Sequence, residues 1–301
     1  MSGARAAWAP ALLLAAAASA AATETASFLR ILPGARPMAL GEAYTAVADD
    51  LNALTTNPSG LALSRGRQAG FMHAELYSTA HYDFLGYSQP LGDGAVGFGV
   101  QRLAQGGLDG RDASGQAVGS FGAADTAISA VGSLRLPDSR TLAGFGVKVV
   151  SSQLADSSAH TFAVDAGLLR ALDTSVVPLT VGASVRNLGP GLRLGSQTED
   201  LPLTVSLGVS ARLAGAFLIS ADASDRPHAQ KASFSVGTEY SVLPTFALRA
   251  GYAPVSTTAG APMSGLGFGF GLRVARASID YGFTPAGDLG AAQRLSLTFG
   301  F

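Results

Sequence analysis

From residue 67 onward apolar and polar side chains alternate along the chain. Leu203, Val205, Leu207, Val209, Ala211 and Leu213 fall on one face; Thr204, Ser206, Gly208, Ser210 and Arg212 fall on the other. Leu266, Phe268, Phe270, Leu272 and Val274 alternate with glycines and Arg273. Ala277, Ile279, Tyr281 and Phe283 alternate with Arg276, Ser278, Asp280 and Gly282. A period of two places the two sets on opposite faces of a β-strand. The pattern predicts strands near 67–75, 81–89, 94–104, 125–135, 141–151, 160–170, 179–187, 202–213, 216–223, 231–241, 245–252, 265–274, 276–284 and 292–301. That is about fourteen strands, an even number, each long enough to cross a bilayer when tilted.

The predicted connections differ in length. Short ones fall at 90–93, 136–140, 214–215, 242–244 and 275, and longer ones at 105–124, 188–201, 253–264 and 285–291. Short turns at one end and long loops at the other fit an outer-membrane barrel, whose periplasmic turns are short. The connections at 76–80 and 171–178 fit this less well. The final strand ends Leu295-Ser296-Leu297-Thr298-Phe299-Gly300-Phe301, and an alternating strand closing on an aromatic residue resembles the signal read by barrel-assembly machinery. A soluble β-sandwich is the alternative architecture.

Residues 34–62 break the alternation. Ala43, Val47, Leu51 and Leu54 recur at three- and four-residue spacing, which predicts one or two short helical turns. Asp49 and Asp50 suit a helix cap, because a carboxylate accepts from free backbone N–H groups. Asn57-Pro58-Ser59-Gly60 reads as a turn. A compact segment leading into a barrel suits the lumen, as a hatch or plug; an extension lying outside the barrel is the alternative. The first 22 residues read as a secretory signal, with Arg5, an Ala/Leu-rich core from Ala6 to Ala18, and small residues around Ala20 and Ala22. The expected domains are therefore a signal peptide over 1–22, a hatch over 23–66 and an outer-membrane barrel over 67–301.

Composition narrows the classes. Of the 301 residues, 48% are hydrophobic and only 14% charged, with 38 Gly and no Cys. Past the leader no run reaches the roughly 18 apolar residues of a membrane-spanning helix, so spread-out apolar content points to strands. The absence of Cys removes disulfides, thiolate catalysis and thiolate metal sites. A net charge of -1 gives no general attraction to nucleic acid.

Three ordered motifs resemble the PorV/PorQ family, within the superfamily of FadL-type fatty-acid transporters. The first runs Gly34-Ala35-Arg36, Gly41-Glu42-Ala43-Tyr44, Ala48-Asp49-Asp50 and Asn57-Pro58-Ser59-Gly60-Leu61-Ala62. The second is Arg186-Asn187-Leu188-Gly189-Pro190 followed by Leu201-Pro202. The third is Asp280-Tyr281-Gly282-Phe283, Gly287-Asp288-Leu289-Gly290 and Arg294-Leu295-Ser296-Leu297. Pro37, Glu42 (where Gly is usual) and Thr55-Thr56 (where an aromatic pair is usual) depart from the pattern. The resemblance implies an all-β, 14-stranded barrel with a lumenal hatch in the outer membrane of a Gram-negative bacterium. Its hatch residues would be Gly34, Arg36, Gly41, Tyr44, Asp49, Asp50, Asn57, Pro58 and Gly60. It implies transport of small hydrophobic molecules past an apolar pocket between hatch and wall, or capture of exported cargo in type IX secretion on the loops at 105–124, 188–201 and 253–264. A purely structural barrel is the third reading. The implied partners are outer-membrane lipid, the assembly machinery, and a hydrophobic ligand or secreted cargo.

Other chemistry is weakly supported. Gly92-Asp93-Gly94-Ala95-Val96-Gly97 fits a dinucleotide fingerprint but leads into a strand, not a helix. His160 and Asp165 suggest a hydrolase only without the expected nucleophile motif. His73, His81, His160 and His228 lack metal-ligand spacing, and Asp109, Asp112, Glu199 and Asp200 read as solvated loop residues. No cofactor or metal site and no enzymatic activity are expected. Arg186, Arg212, Arg249, Arg273, Arg276 and Asp280 fall on the polar faces of their strands. A charge facing lipid at mid-depth costs about 2–4 kcal/mol, so these are expected to face the lumen, lining a pathway or anchoring the hatch through Glu42, Asp49 or Asp50.

Overall fold

The computed structural model describes residues 24–76, 80–111, 114–174, 177–194, 197–254, 265–285 and 291–301. The strands are β1 (Gln68–Leu76), β2 (Ala80–Leu91), β3 (Gly94–Arg111), β4 (Ala117–Arg135), β5 (Thr141–Leu154), β6 (Ser157–Leu172), β7 (Leu179–Leu188), β8 (Leu192–Leu194), β9 (Gln197–Glu199), β10 (Thr204–Leu213), β11 (Phe217–Arg226), β12 (Lys231–Leu243), β13 (Phe246–Tyr252), β14 (Leu266–Val274), β15 (Ala277–Pro285) and β16 (Ala291–Gly300). All except β8 and β9 form one closed antiparallel barrel of neighbours, in which β7 pairs with β10 and β16 pairs with β1. Closure runs from Gln68 opposite Gly300 to Glu75 opposite Gln293. Hydrocarbon supplies no hydrogen bonds, so a sheet that spans it must leave no free edge.

The outward face carries the apolar set. Phe71, Leu85, Val100, Ile128, Val149 and Phe162 stand opposite one another across β1 to β6. One inward-outward repeat further toward the long connections, the row becomes His73, Asp83, Arg102, Thr126, Ser151 and His160. His73 Nδ1 lies 2.7 Å from Asp83 Oδ1. That change marks one border of the apolar band. The alternation along a strand is therefore also an alternation between lipid and lumen, which is why Ser, Gly and charged residues recur at every second position.

The tight turns gather at one end. Ala214 and Gly215 both have positive φ, 47° and 72°, the backbone of a two-residue hairpin turn whose twist matches its strands. The connection at 171–178 belongs to this same end, between β6 and β7. The expected loop at 105–124 is instead a hairpin. β3 and β4 stay paired from Gln105–Ala123 out to Arg111–Ala117, with a register shift between Gln105 and Leu108. Gly107 at φ 68° absorbs that shift, so the two strands continue past the bulge. The 188–201 connection carries its own hairpin, β8 paired with β9. The connections at 155–156 and 227–230 are short although they lie at the long-loop end. The expected signal peptide over 1–22, Asp112, residues 77–79, 255–264 and 286–290, with the Gly287–Gly290 part of the third motif, lie outside the described residues.

A closed, lipid-facing barrel resists detergent until heated. Unboiled protein is therefore expected to migrate differently from boiled protein on a denaturing gel. Identical mobility would contradict closure.

Candidate functional site

Residues 24–66 run inside the barrel. The segment begins at the long-loop end, where Glu24 bridges Asp200 and Thr25 N–H donates to the Asp200 carbonyl at 3.0 Å. It ends at the tight-turn end, where it enters β1 and the Phe301 N–H donates to the Arg67 carbonyl at 3.0 Å. Between these points it forms α1 (Ala35–Ala39) and single turns at Ser27–Arg30, Leu51–Leu54 and Pro58–Leu63. The hydrophobic spacing of Val47, Leu51 and Leu54 places them in one buried cluster with Phe28, Leu40, Tyr44 and Leu61. The inward Met72, Tyr82, Phe84 and Val131 of the wall complete it.

The hatch backbone lies directly on wall glycines. A Cβ at Gly282 would meet the Ala35 carbonyl at 2.8 Å; Cβ atoms at Gly251, Gly182, Gly167 and Gly144 would strike the Leu40 and Gly41 backbone, the Thr45 and Ala46 backbone, the Asn57 side chain and the Pro58–Ser59 backbone, respectively. The hatch therefore follows the wall from β15 round to β5, and the glycine-rich inward face is its seat. The hatch also packs tightly on itself: a Cβ at Gly34 would collide with Asn52, and one at Gly60 with the Ala48 carbonyl. Gly41 has φ 61° and Glu42 φ 65°. Left-handed backbone is natural for the first and strained for the second, which accounts for the usual glycine at position 42.

An ion network fixes one side of the hatch. Arg36 on α1 reaches Glu239 of β12 with Nε at 2.7 Å from Oε2 and Nη2 at 3.2 Å from Oε1. Its Nη1 donates to Asp49 at 2.5 Å, to Asp50 at 3.1 Å and to the Tyr44 hydroxyl at 2.9 Å. Tyr44 in turn donates to Asp50 at 2.7 Å. Arg249 of β13 donates to Glu239 at 2.7 Å and to Asp280 of β15 at 2.6 Å. Burial works against the Arg36 charge, but Asp49, then Tyr44, Glu239 and Asp50 outweigh it and hold its pKa well above the usual value. Burial, ahead of the neighbouring acids, likewise pushes the Tyr44 phenol well up.

Two further anchors continue the attachment round the wall, on β11 and β6. Asp222 of β11 accepts from the Tyr44 and Thr45 N–H groups at 2.9 and 2.7 Å. Asn57 donates to the carbonyls of Thr45 at 2.8 Å and Leu168 at 3.2 Å. Asn57 also accepts from the Ser59 N–H and hydroxyl, capping the 3-10 turn in which Pro58 holds the first position. The expected free-standing turn at Asn57–Gly60 is thus a helix start. Asp50 caps Leu51–Leu54 by accepting from the Asn52 N–H at 2.9 Å, whereas Asp49 is taken by Arg36.

The lumen candidates divide. Arg249 and Asp280 join the ion network, and Arg186 donates to the Thr55 carbonyl at 3.2 Å. Arg212 stands half-buried in the inward register near the tight-turn end, and Arg273 is exposed there. Arg276 leaves the lumen: it sits exposed in the turn between β14 and β15, because the strand alternation stops one residue before it. Glu239 and Asp222 are absent from the sequence-based candidates, although each sits at an inward position, among Gly237 and Ser241 in one case and Ser220 and Ser224 in the other. Asp165 pairs with Lys148 at 2.7 Å and accepts from the Asn187 N–H at 2.8 Å, while His160 faces outward. Asn187, at φ 62°, donates to the Pro202 carbonyl at 3.0 Å and accepts from Lys148 at 2.8 Å, which explains the Arg186–Pro190 and Leu201-Pro202 motif as one structural clasp. No group of three or more His, Cys, Asp or Glu arranged to hold a metal occurs among the described residues.

Above the hatch, toward the long-loop end, lies a cavity of about 420 Å³. Residues 27–32 form one side, the ends of β10 to β12 the other, and Glu42, Tyr44, Thr45 and Asp222 the floor. In place of the expected apolar pocket between hatch and wall, this cavity is lined mainly by Arg, Ser, Thr and acidic residues, because the inward positions near the ends of β10, β11 and β12 are hydroxylic or charged.

Arg36→Met would leave Asp49 and Asp50 without their counter-charge and Glu239 with Arg249 alone. We expect this to loosen the hatch by about 3 kcal/mol. Hydrogen exchange should read the change as lost protection over 35–62, with the barrel strands unchanged.

Among known proteins, an uncharacterised protein family (UPF0164) matches residues 5–137. No curated protein sequence matches the chain. The toluene transporter TodX of Pseudomonas putida superposes with a TM-score of 0.62 at 14% identity, covering 90% of this chain and 99% of that one. A Pseudomonas aeruginosa FadL homologue superposes with a TM-score of 0.55 at 14% identity, covering 93% and 98%. At such identities the likeness shows a shared fold: a closed 14-stranded antiparallel barrel like those of FadL-type proteins.

Proposed function

We propose that this chain is a non-enzymatic outer-membrane barrel that admits small molecules through a lumen gated by its own N-terminal hatch. The carrying observation is the way the hatch is seated. It fills the lumen, yet it is joined to the wall by van der Waals contact with glycines and by a few ion pairs and hydrogen bonds, all breakable without disturbing the barrel ladder. The outward apolar band and the closed ladder support a membrane setting. The solved barrels of this fold support transport: one is titled a toluene transporter and another a FadL homologue. Localisation to the outer membrane of a Gram-negative bacterium follows from the same reading. The PorV/PorQ resemblance of the hatch motif is in keeping with this reading, since Arg36, Tyr44, Asp49, Asp50 and Asn57 of that motif make the contacts that seat the hatch.

Gating has a direct measure. In planar bilayers the native barrel is expected to be mostly closed. Glu239→Gln, which weakens the tie between α1 and the wall, is expected to raise the open fraction about tenfold if the tie contributes about 1.4 kcal/mol to the seated state. An unchanged conductance in both Glu239→Gln and Arg36→Met, with hatch protection demonstrably lost, would overturn the gated-lumen reading.

A further inference from the structure

The cavity above the hatch has a chemistry of its own. Arg30, Arg186, Arg226 and Arg294 line it, with Glu42 and Asp222 as the only carboxylates among the lining residues. Three of the four arginines have partners that stabilise them in place. Arg226 pairs with Glu24 at 3.2 Å, Arg30 lies 3.8 Å from the same carboxylate, and Arg294 donates to the Leu32 carbonyl. Arg186 differs. It has one hydrogen bond, to the Thr55 carbonyl, and no ion pair among the described residues. Its Nε is buried without a partner. A guanidinium presents five donors and suits a planar carboxylate.

Hydroxyls surround it. Thr45, Thr56, Thr204, Ser206, Ser224 and Ser235 all line the same space. The volume, about 420 Å³, lies within the range of small-ligand sites, and a hydroxyl-lined wall exchanges hydrogen bonds with a hydroxylated guest in either direction. We propose that the cavity binds a small hydroxylated carboxylate, with Arg186 as its charged anchor and Glu42 as the opposing charge that limits its affinity. Such a ligand contributes the direct ion pair that Asp165, Glu42 and Asp222, which act on Arg186 only from a distance, do not make. A hydrocarbon would leave the guanidinium and the hydroxyls unpaired. The inference deepens the gated-barrel reading by naming a substrate class, and it is tested separately from flux.

The test uses the full chain purified in mild detergent, with calorimetric titration of gluconate, of sorbitol as the uncharged counterpart, and of toluene. Gluconate is expected to bind at least about tenfold more tightly than sorbitol, and toluene to leave the gluconate isotherm unchanged. Arg186→Gln is expected to weaken gluconate binding about tenfold or more, and Arg186→Lys less; Glu42→Gln should tighten it several-fold, since it removes a like charge. Opposite signs for the two positions are a readout that loss of folding does not mimic. If gluconate fails to bind the native protein, or binds folded Arg186→Gln and Glu42→Gln as it binds the native chain, or is displaced by toluene, the site is wrong. Gluconate binding without gated conductance would keep the site and overturn the channel; gated conductance without gluconate binding would do the reverse.

Discussion

The close contact between the hatch backbone and the glycines of the wall is the constraint on which this structure depends. A barrel of fourteen strands encloses more space than its own inward side chains fill. Here the space is taken by a segment of the same chain, and it fits only because Cβ atoms are missing on the wall where the hatch rests, at Gly144, Gly167, Gly182, Gly251 and Gly282, and inside the hatch where it folds on itself, at Gly34 and Gly60. Packing at that distance leaves little room for water between the hatch and the wall glycines. It also makes the remaining polar contacts strong, since Arg36, Glu239 and Arg249 meet in a poorly hydrated place.

The same constraint separates the lumen into two regions. Toward the tight turns the hatch is apolar and dense, with Leu51, Leu54 and Leu61 against Phe84 and Val131. Toward the long connections it thins to residues 24–32, and the wall turns hydroxylic and charged. A dense plug and a polar vestibule thus arise from one segment, the first where it is wide and the second where it is narrow. The ion network lies along β12 to β15, Asp222 continues the attachment onto the adjacent β11, and Asn57 carries it to β6.

Much of the barrel was legible in the sequence because lipid enforces it. Every second residue of a spanning strand answers to hydrocarbon, and a slip of register by one residue would move a whole apolar set into the lumen; the alternation of Val205, Leu207 and Val209 therefore marks β10 almost to its ends. Arg36, Tyr44, Asp49, Asp50 and Asn57 were legible through family resemblance, and the structure supplies the contacts that the resemblance left unsaid. What stayed hidden depends on partners distant in the chain. Glu239 is an ordinary strand acid until Arg36, 203 residues away, is placed beside it. The β3–β4 hairpin was hidden because Gly106 and Gly107 look like loop residues, while the strands resume past them. The polar cavity was hidden because its walls come from hatch residues and from β7, β10, β11, β12 and β16, and no local pattern contains it. Arg276 misled because strand alternation projected through a turn carries no information.

The wall glycines allow the most direct test of the seated hatch. A Cβ at Gly251 would strike the Leu40 and Gly41 backbone, whereas one at Gly132 meets nothing within 4 Å. Hydrogen exchange over residues 35–62 is predicted to speed up in Gly251→Val and to stay at the native rate in Gly132→Val, with both barrels still shifting on heating. Native protection of 35–62 in folded Gly251→Val would show that the hatch does not rest on the wall there and would contradict its seating.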